Sequence, residues 1–144
     1  NQTVAQTGIQ ATATSIVFDN TAINSNGSVF TVNNTNGQIT VNKTSTFKLE
    51  YVLTADTQDG ARRTSETILE IDTGSGFSAL SAALGSATAY GYHRNNASGE
   101  NSAAGQAILS LNSGDKVRLV TRRANGTGTI KTVPNGTSFS IEEK

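Results

Sequence analysis

The sequence predicts an all-β protein, an antiparallel β-sandwich, and three observations predict it. Short apolar runs alternate with polar residues at period two, the pattern of strands with one face buried and the other wet. Asn-Gly pairs, which tolerate the positive φ of tight hairpins, stand between those runs. The background is Thr, Ser, Asn and Gly, residues that compete with or loosen a helical hydrogen-bond ladder, while Thr suits strands.

In chain order, "GQITVNK" supplies Ile39 and Val41 as the inward residues of an early strand. "TFKLEYVLT" is the clearest case, with Phe47, Leu49, Tyr51 and Leu53 on one face and Lys48, Glu50 and Thr54 on the other. Val52 breaks the pattern. "ILEID" continues it with Leu69 and Ile71. "GFSALSAALGSA" places Phe77, Leu80 and Leu84 at helical spacing, but Gly76 and Gly85 bracket a run too short to hold without packing. It reads as a loop or broken strand leading into "ATAYGYHR".

"LSLNSGDKVRLVTRR" joins two alternating strands through Asn-Ser-Gly-Asp, with Val117 and Leu119 inward. Asp115 reads as a bend, because Asp in a turn accepts nearby backbone N–H groups and Gly114 relieves positive-φ strain. "TSFSIEE" closes the chain with Phe139 and Ile141. Asn26-Gly27, Asn36-Gly37, Asn125-Gly126 and Asn135-Gly136 mark turns, and Pro134 suits the first corner of the last of them. Strands this short, with turns this frequent, imply a sandwich or barrel.

A chain of 144 residues is most simply one domain with a real core. Only 35% of it is apolar, so that core is thin. Eleven basic and eleven acidic residues cancel, which leaves little long-range attraction for nucleic acid or anionic lipid. No apolar stretch is long enough for a membrane helix, and no signal peptide opens the chain. With no cysteine there are no disulfides, thiol chemistry or cysteine metal sites.

The order "SIVFDNTAINSNGSVFTVNNTNGQITVNKTSTFKLEYVLTA", then "AILSLNSGDKVRLV", then "GTSFSIEEK" resembles the complement globular-head and tumour necrosis factor-like superfamily. The likeness rests on a Phe-containing strand before a Gly turn, a G-x-(I/F)-T-V run into a long alternating strand, and a Leu-Gly-Asp-Val pattern over Leu111 to Val117. It spans nearly all of residues 15 to 144, leaving 1–14 as a connecting segment or first strand. The chain departs from animal members in lacking cysteine, in its 6% aromatic content and in the insert from Thr73 to Ser86. Its Thr/Asn/Gly texture looks more like versions at the ends of bacteriophage fibres and on bacterial surfaces.

What the resemblance implies is a ten-stranded jelly roll that assembles as a homotrimer with loops at one end free to bind. A shared apolar axis would stabilise folded subunits that have thin cores and no disulfides.

His93 is the only histidine, which removes the usual Ser-His-Asp relay and any multi-histidine metal site. It reads as an exposed polar residue at a strand end. Around it, "YGYHRNNASGEN" places Tyr90, Tyr92, His93 and Arg94 just before a glycine-containing loop. Aromatics beside planar polar groups grip sugars and proteins. Equally, the two tyrosines share a strand face and could pack in the core or a trimer seam. Arg62-Arg63 and Arg122-Arg123 are the paired basic residues, and if they converge they would hold an acidic sugar or carboxylate bidentately. Asp56, Asp59, Asp72 and the stretch from Asp19 do not make a calcium loop.

The resemblance, with no catalytic constellation beside it, implies a non-enzymatic, cofactor-free module: a trimerising, receptor-binding tip of a phage fibre or related appendage. Its partners would be its own copies and a host surface glycan or protein, at a virion or extracellular surface. A trimeric cap or decoration protein without a ligand is the structural alternative. A glycan hydrolase would need paired carboxylates, whereas Glu66, Glu70 and Glu100 lie scattered in the sequence.

Overall fold

Residues 1–21, 27–59, 61–80, 88–93 and 99–144 are described by the computed structural model. Among them there is no helix, and strands β1 to β11 form two antiparallel sheets. The strands are β1 (Thr14–Ser15), β2 (Phe30–Asn33), β3 (Gln38–Val41), β4 (Ser45–Thr57), β5 (Arg63–Asp72), β6 (Ser78–Ala79), β7 (Thr88–His93), β8 (Asn101–Leu111), β9 (Lys116–Asn125), β10 (Ile130–Thr132) and β11 (Ser138–Glu143). The architecture is a jelly-roll sandwich.

The four-stranded sheet is built on β4, the strand with the cleanest alternation. β8 pairs with it from Ser45↔Leu111 to Ala55↔Asn101 on one side. On the other side β11 covers its first half and β10 its end. The seven-stranded sheet runs β2-β3-β9-β5, with β1 continuing along β9 where β3 stops and both β6 and β7 on the far side of β5. Period-two burial then follows from the pleat. Phe47, Leu49, Tyr51 and Leu53 face Val41, Leu69, Val117 and Leu119 across the sandwich, all buried. Val52, which looked like a break in the alternation, lies on the outer face of β4 with 38% of its surface exposed.

The turns follow the sequence. Gly114 takes φ 99° between β8 and β9. Asp115 is buried there, and its carboxylate accepts the Asn112 N–H at 2.8 Å. Asn135 takes φ 61° after Pro134, in a turn closed by Gly136 N–H to the Val133 carbonyl at 3.1 Å. In the "GFSALSAALGSA" stretch, Ser78 and Ala79 form a short strand on β5 rather than a helical turn. Leu84 and the rest of 81–87 lie outside the described residues, as does Asn26. At the start of the chain, buried Gln2 and Ile9 run beside the β10–β11 segment, bonded to Thr137, Asn135 and Ile130.

Candidate functional site

The outward face of the seven-stranded sheet is assembled by register. β5 lies between β7 and β9, so Glu66 has Tyr90 opposite on one side and Arg122 on the other. The Tyr90 hydroxyl donates to Glu66 Oε1 at 2.9 Å, and the Arg122 guanidinium closes on Oε2. Burial alone would raise the Glu66 carboxyl, but the bonds from Arg122 and Tyr90 outweigh it and hold it below the usual carboxylate range. The same carboxylate pushes the Tyr90 hydroxyl up. Further along, Arg118 bridges Glu70 at 2.7 Å and stacks over the Phe77 ring at 3.9 Å, and Lys116 stands 3.8 Å from Asp72.

Tyr90 and Tyr92 are two residues apart on β7 and therefore share this face. They are 62% and 48% exposed, so neither is part of the core. With Arg122 they make a ridge of two aromatic rings beside a guanidinium whose charge is already answered by Glu66. Such a ridge offers stacking area and neutral hydrogen bonding rather than a free positive charge.

The underside of the same strands overturns two expectations. His93 is wholly buried, not exposed, because it alternates with Tyr92 and so points into the sandwich. Its Nε2 lies 2.8 Å from Ser65 Oγ, while Nδ1 is enclosed without a hydrogen bond of acceptable geometry. Gly91 permits this pair: a Cβ there would stand 2.9 Å from Ser65 Oγ and 3.2 Å from the imidazole. Burial pushes the His93 pKa down, opposed by the backbone at Gly99 and Ala55 and by the charge of Asp56. The serine and histidine are both enclosed, so the pair is a packing device and not an accessible nucleophile and base.

Arg63 is the second correction. It is buried opposite His93, with its guanidinium on Asp59 and on the Thr127 carbonyl, so it cannot present itself to an acidic ligand. Arg62 is exposed, Arg123 is half-buried on the inward side of β9, and Arg122 points outward. The two arginine pairs therefore do not form a bidentate clamp. Arg94 lies outside the described residues.

The candidate cation ligands are also spoken for. Asp19 accepts from the Thr3 backbone and hydroxyl, Asp72 accepts the N–H groups of Gly74 and Gly76, and Asp56 accepts the Thr57 N–H. Among the described residues no three His, Asp or Glu side chains come together as a metal site.

Fold and site together define a β-sandwich whose accessible chemistry lies on its outer faces. Solved structures share its architecture: murine APRIL at pH 8.0 (TM-score 0.58, 14% identity, covering 95% of each chain), the globular domain of zebrafish complement 1qA (0.55, 13%, covering 89% of this chain and 92% of that one) and Eiger TNF from S. frugiperda (0.53, 16%, 80% and 68%). The chain thus has the tumour necrosis factor and complement globular-head jelly-roll fold. No protein-family model and no curated protein matches it.

Proposed function

We propose that the protein is a non-enzymatic binding module that works as a homotrimer on an extracellular or virion surface, with the tip of a phage fibre as the setting its Thr/Asn/Gly texture favours. The observation that carries this reading is the contrast between the two outer faces. The seven-stranded sheet is tiled with the cross-strand ion pairs of Glu66, Glu70 and Asp72. The outer face of β8 instead carries Ser102, Ala104, Gln106, Ile108 and Ser110, with no charge at all, and Ile108 is 60% exposed. Val52 lies beside Ala104 in register on β4. The charges of this second sheet lie on its other strands: Lys48, Glu50 and Asp56 on β4, Lys131 on β10, and Glu142 and Glu143 on β11, each in an ion pair, with Lys48 and Glu50 next to Ile108 and Gln106 in register. An uncharged β8 with apolar side chains turned outward is a surface suited to packing against another copy.

Packing three copies through this sheet leaves the opposite face, with Tyr90 and Tyr92, turned outward three times. Even a weak site gains about 10²- to 10⁴-fold in apparent affinity when three act together in suitable geometry. Binding of the isolated protein to arrayed surface polysaccharides and to bacterial cells tests the reading. Wild-type protein is expected to bind at least one surface, and Ile108→Asp, which breaks the seam without touching the tyrosines, to lose most of that signal. Silence on every surface would leave only a structural cap.

A further inference from the structure

At the edge of the seven-stranded sheet opposite β7, the β2–β3 hairpin, Phe18 and β11 line a cavity of about 270 Å³. Its floor is aromatic: Phe18 and Phe139 stand with ring centroids 6.3 Å apart, and Phe30 meets Phe47 of the core edge-on at 5.7 Å. Its rim is made of carboxamides, among them Asn20, Asn34 and Gln38, and among the described residues no ionisable side chain lines it; the Asn1 ammonium at its margin donates to the Asn20 carbonyl at 2.9 Å. Asn1 also lines it and keeps a buried Oδ1 with no hydrogen-bond partner. A buried acceptor left unpaired costs about 1–3 kcal/mol unless something donates to it.

We propose that this cavity binds a single neutral sugar residue, an N-acetylated hexose fitting best. Three features select that ligand. Phenylalanine faces suit the C–H face of a pyranose and an acetamido methyl. Carboxamides both donate and accept, so they match hydroxyl and acetamido groups that do the same, whereas a carboxylate or phosphate ligand would call for arginine or lysine. The volume falls just below the roughly 300–1,000 Å³ of pockets for drug-sized ligands, which suits one ring and not an extended chain. The site lies apart from the tyrosine ridge, is lined by described residues of one subunit, and does not depend on the oligomeric reading.

The test is a titration of the ¹⁵N-labelled protein with N-acetylglucosamine, N-acetylneuraminic acid and decanoate, followed by amide chemical shifts. N-acetylglucosamine is expected to give saturable shifts around Phe18, Gln38 and Phe139 with a dissociation constant on the order of 1 mM, an affinity ordinary for one small ring. The anionic sugar should bind at least tenfold more weakly. Gln38→Ala and Asn34→Ala alter only the rim, and each should weaken binding roughly tenfold, the value of one hydrogen bond, with an otherwise unchanged spectrum. The inference fails if no shift saturates, if decanoate alone binds, if the anionic sugar binds equally well, or if both rim variants bind like wild type.

Discussion

The buried His93 makes the protein acid-sensitive in a window where little else titrates. The ring is enclosed beside Ser65 with Arg63 opposite in register, and burial holds its pKa below the ordinary 6.5. As the pH falls through 6.5 the unfolded chain takes up a proton that the folded chain refuses, so stability is full above 6.5 and declines towards the folded-state value. If the ring stays uncharged in the fold down to pH 5.5, the loss between pH 8 and 5.5 is at most about 1.4 kcal/mol. The Asn1 amine, also lowered by burial, acts in the same direction from its ordinary 8.0, so the His93 share must be isolated by comparison. Urea unfolding of wild type and His93→Gln at pH 8, 7, 6 and 5.5 does this. His93→Gln should be the less stable protein at pH 8, and the gap should narrow by up to about 1.4 kcal/mol by pH 5.5. A gap that stays constant, or widens, would refute the reasoning.

Three further outcomes follow from named contacts. A Cβ at Gly105 would stand 2.5–2.8 Å from the Tyr51 ring and hydroxyl in the core, so Gly105→Ala should cost about 1–3 kcal/mol by overpacking, read by urea denaturation. Asp115→Ala removes the acceptor for the Asn112 N–H and should cost about 1–3 kcal/mol, while leaving binding by the folded protein intact; loss of binding in a folded variant would contradict the bend. Tyr92→Ala should leave the unfolding free energy within about 0.5 kcal/mol of wild type, Tyr90→Ala should cost up to about 3 kcal/mol through the lost bond to Glu66, and both, while still folded, should abolish attachment in the array assay.

Period-two alternation is a property of neighbouring residues, so the faces of β4, β9 and β5 could be read directly from Phe47-Leu49-Tyr51-Leu53, Val117-Leu119 and Leu69-Ile71. Turn chemistry is equally local, which is why Gly114 and Asn135 were legible. Register is not local. Nothing in the sequence says that Glu66 will stand between Tyr90 and Arg122, because that follows from two separate strand pairings. The burial of His93 has a related cause. Its polarity argues for solvent, but Tyr92 takes the outer face and alternation leaves His93 no other side, and Ser65, 28 positions away, supplies its partner. Arg63 sits inside because Asp59 and the Thr127 carbonyl meet its guanidinium there. The carboxamide-rimmed cavity was invisible, since its floor and rim come from the chain start, β2, β3 and β11.

Sedimentation equilibrium at micromolar concentration tests the self-assembling sheet most directly. The account predicts a single species of three times the 15.0 kDa chain mass, reduced to one chain mass by Ile108→Asp. A wild-type protein that remains at 15.0 kDa across the concentration range would contradict it.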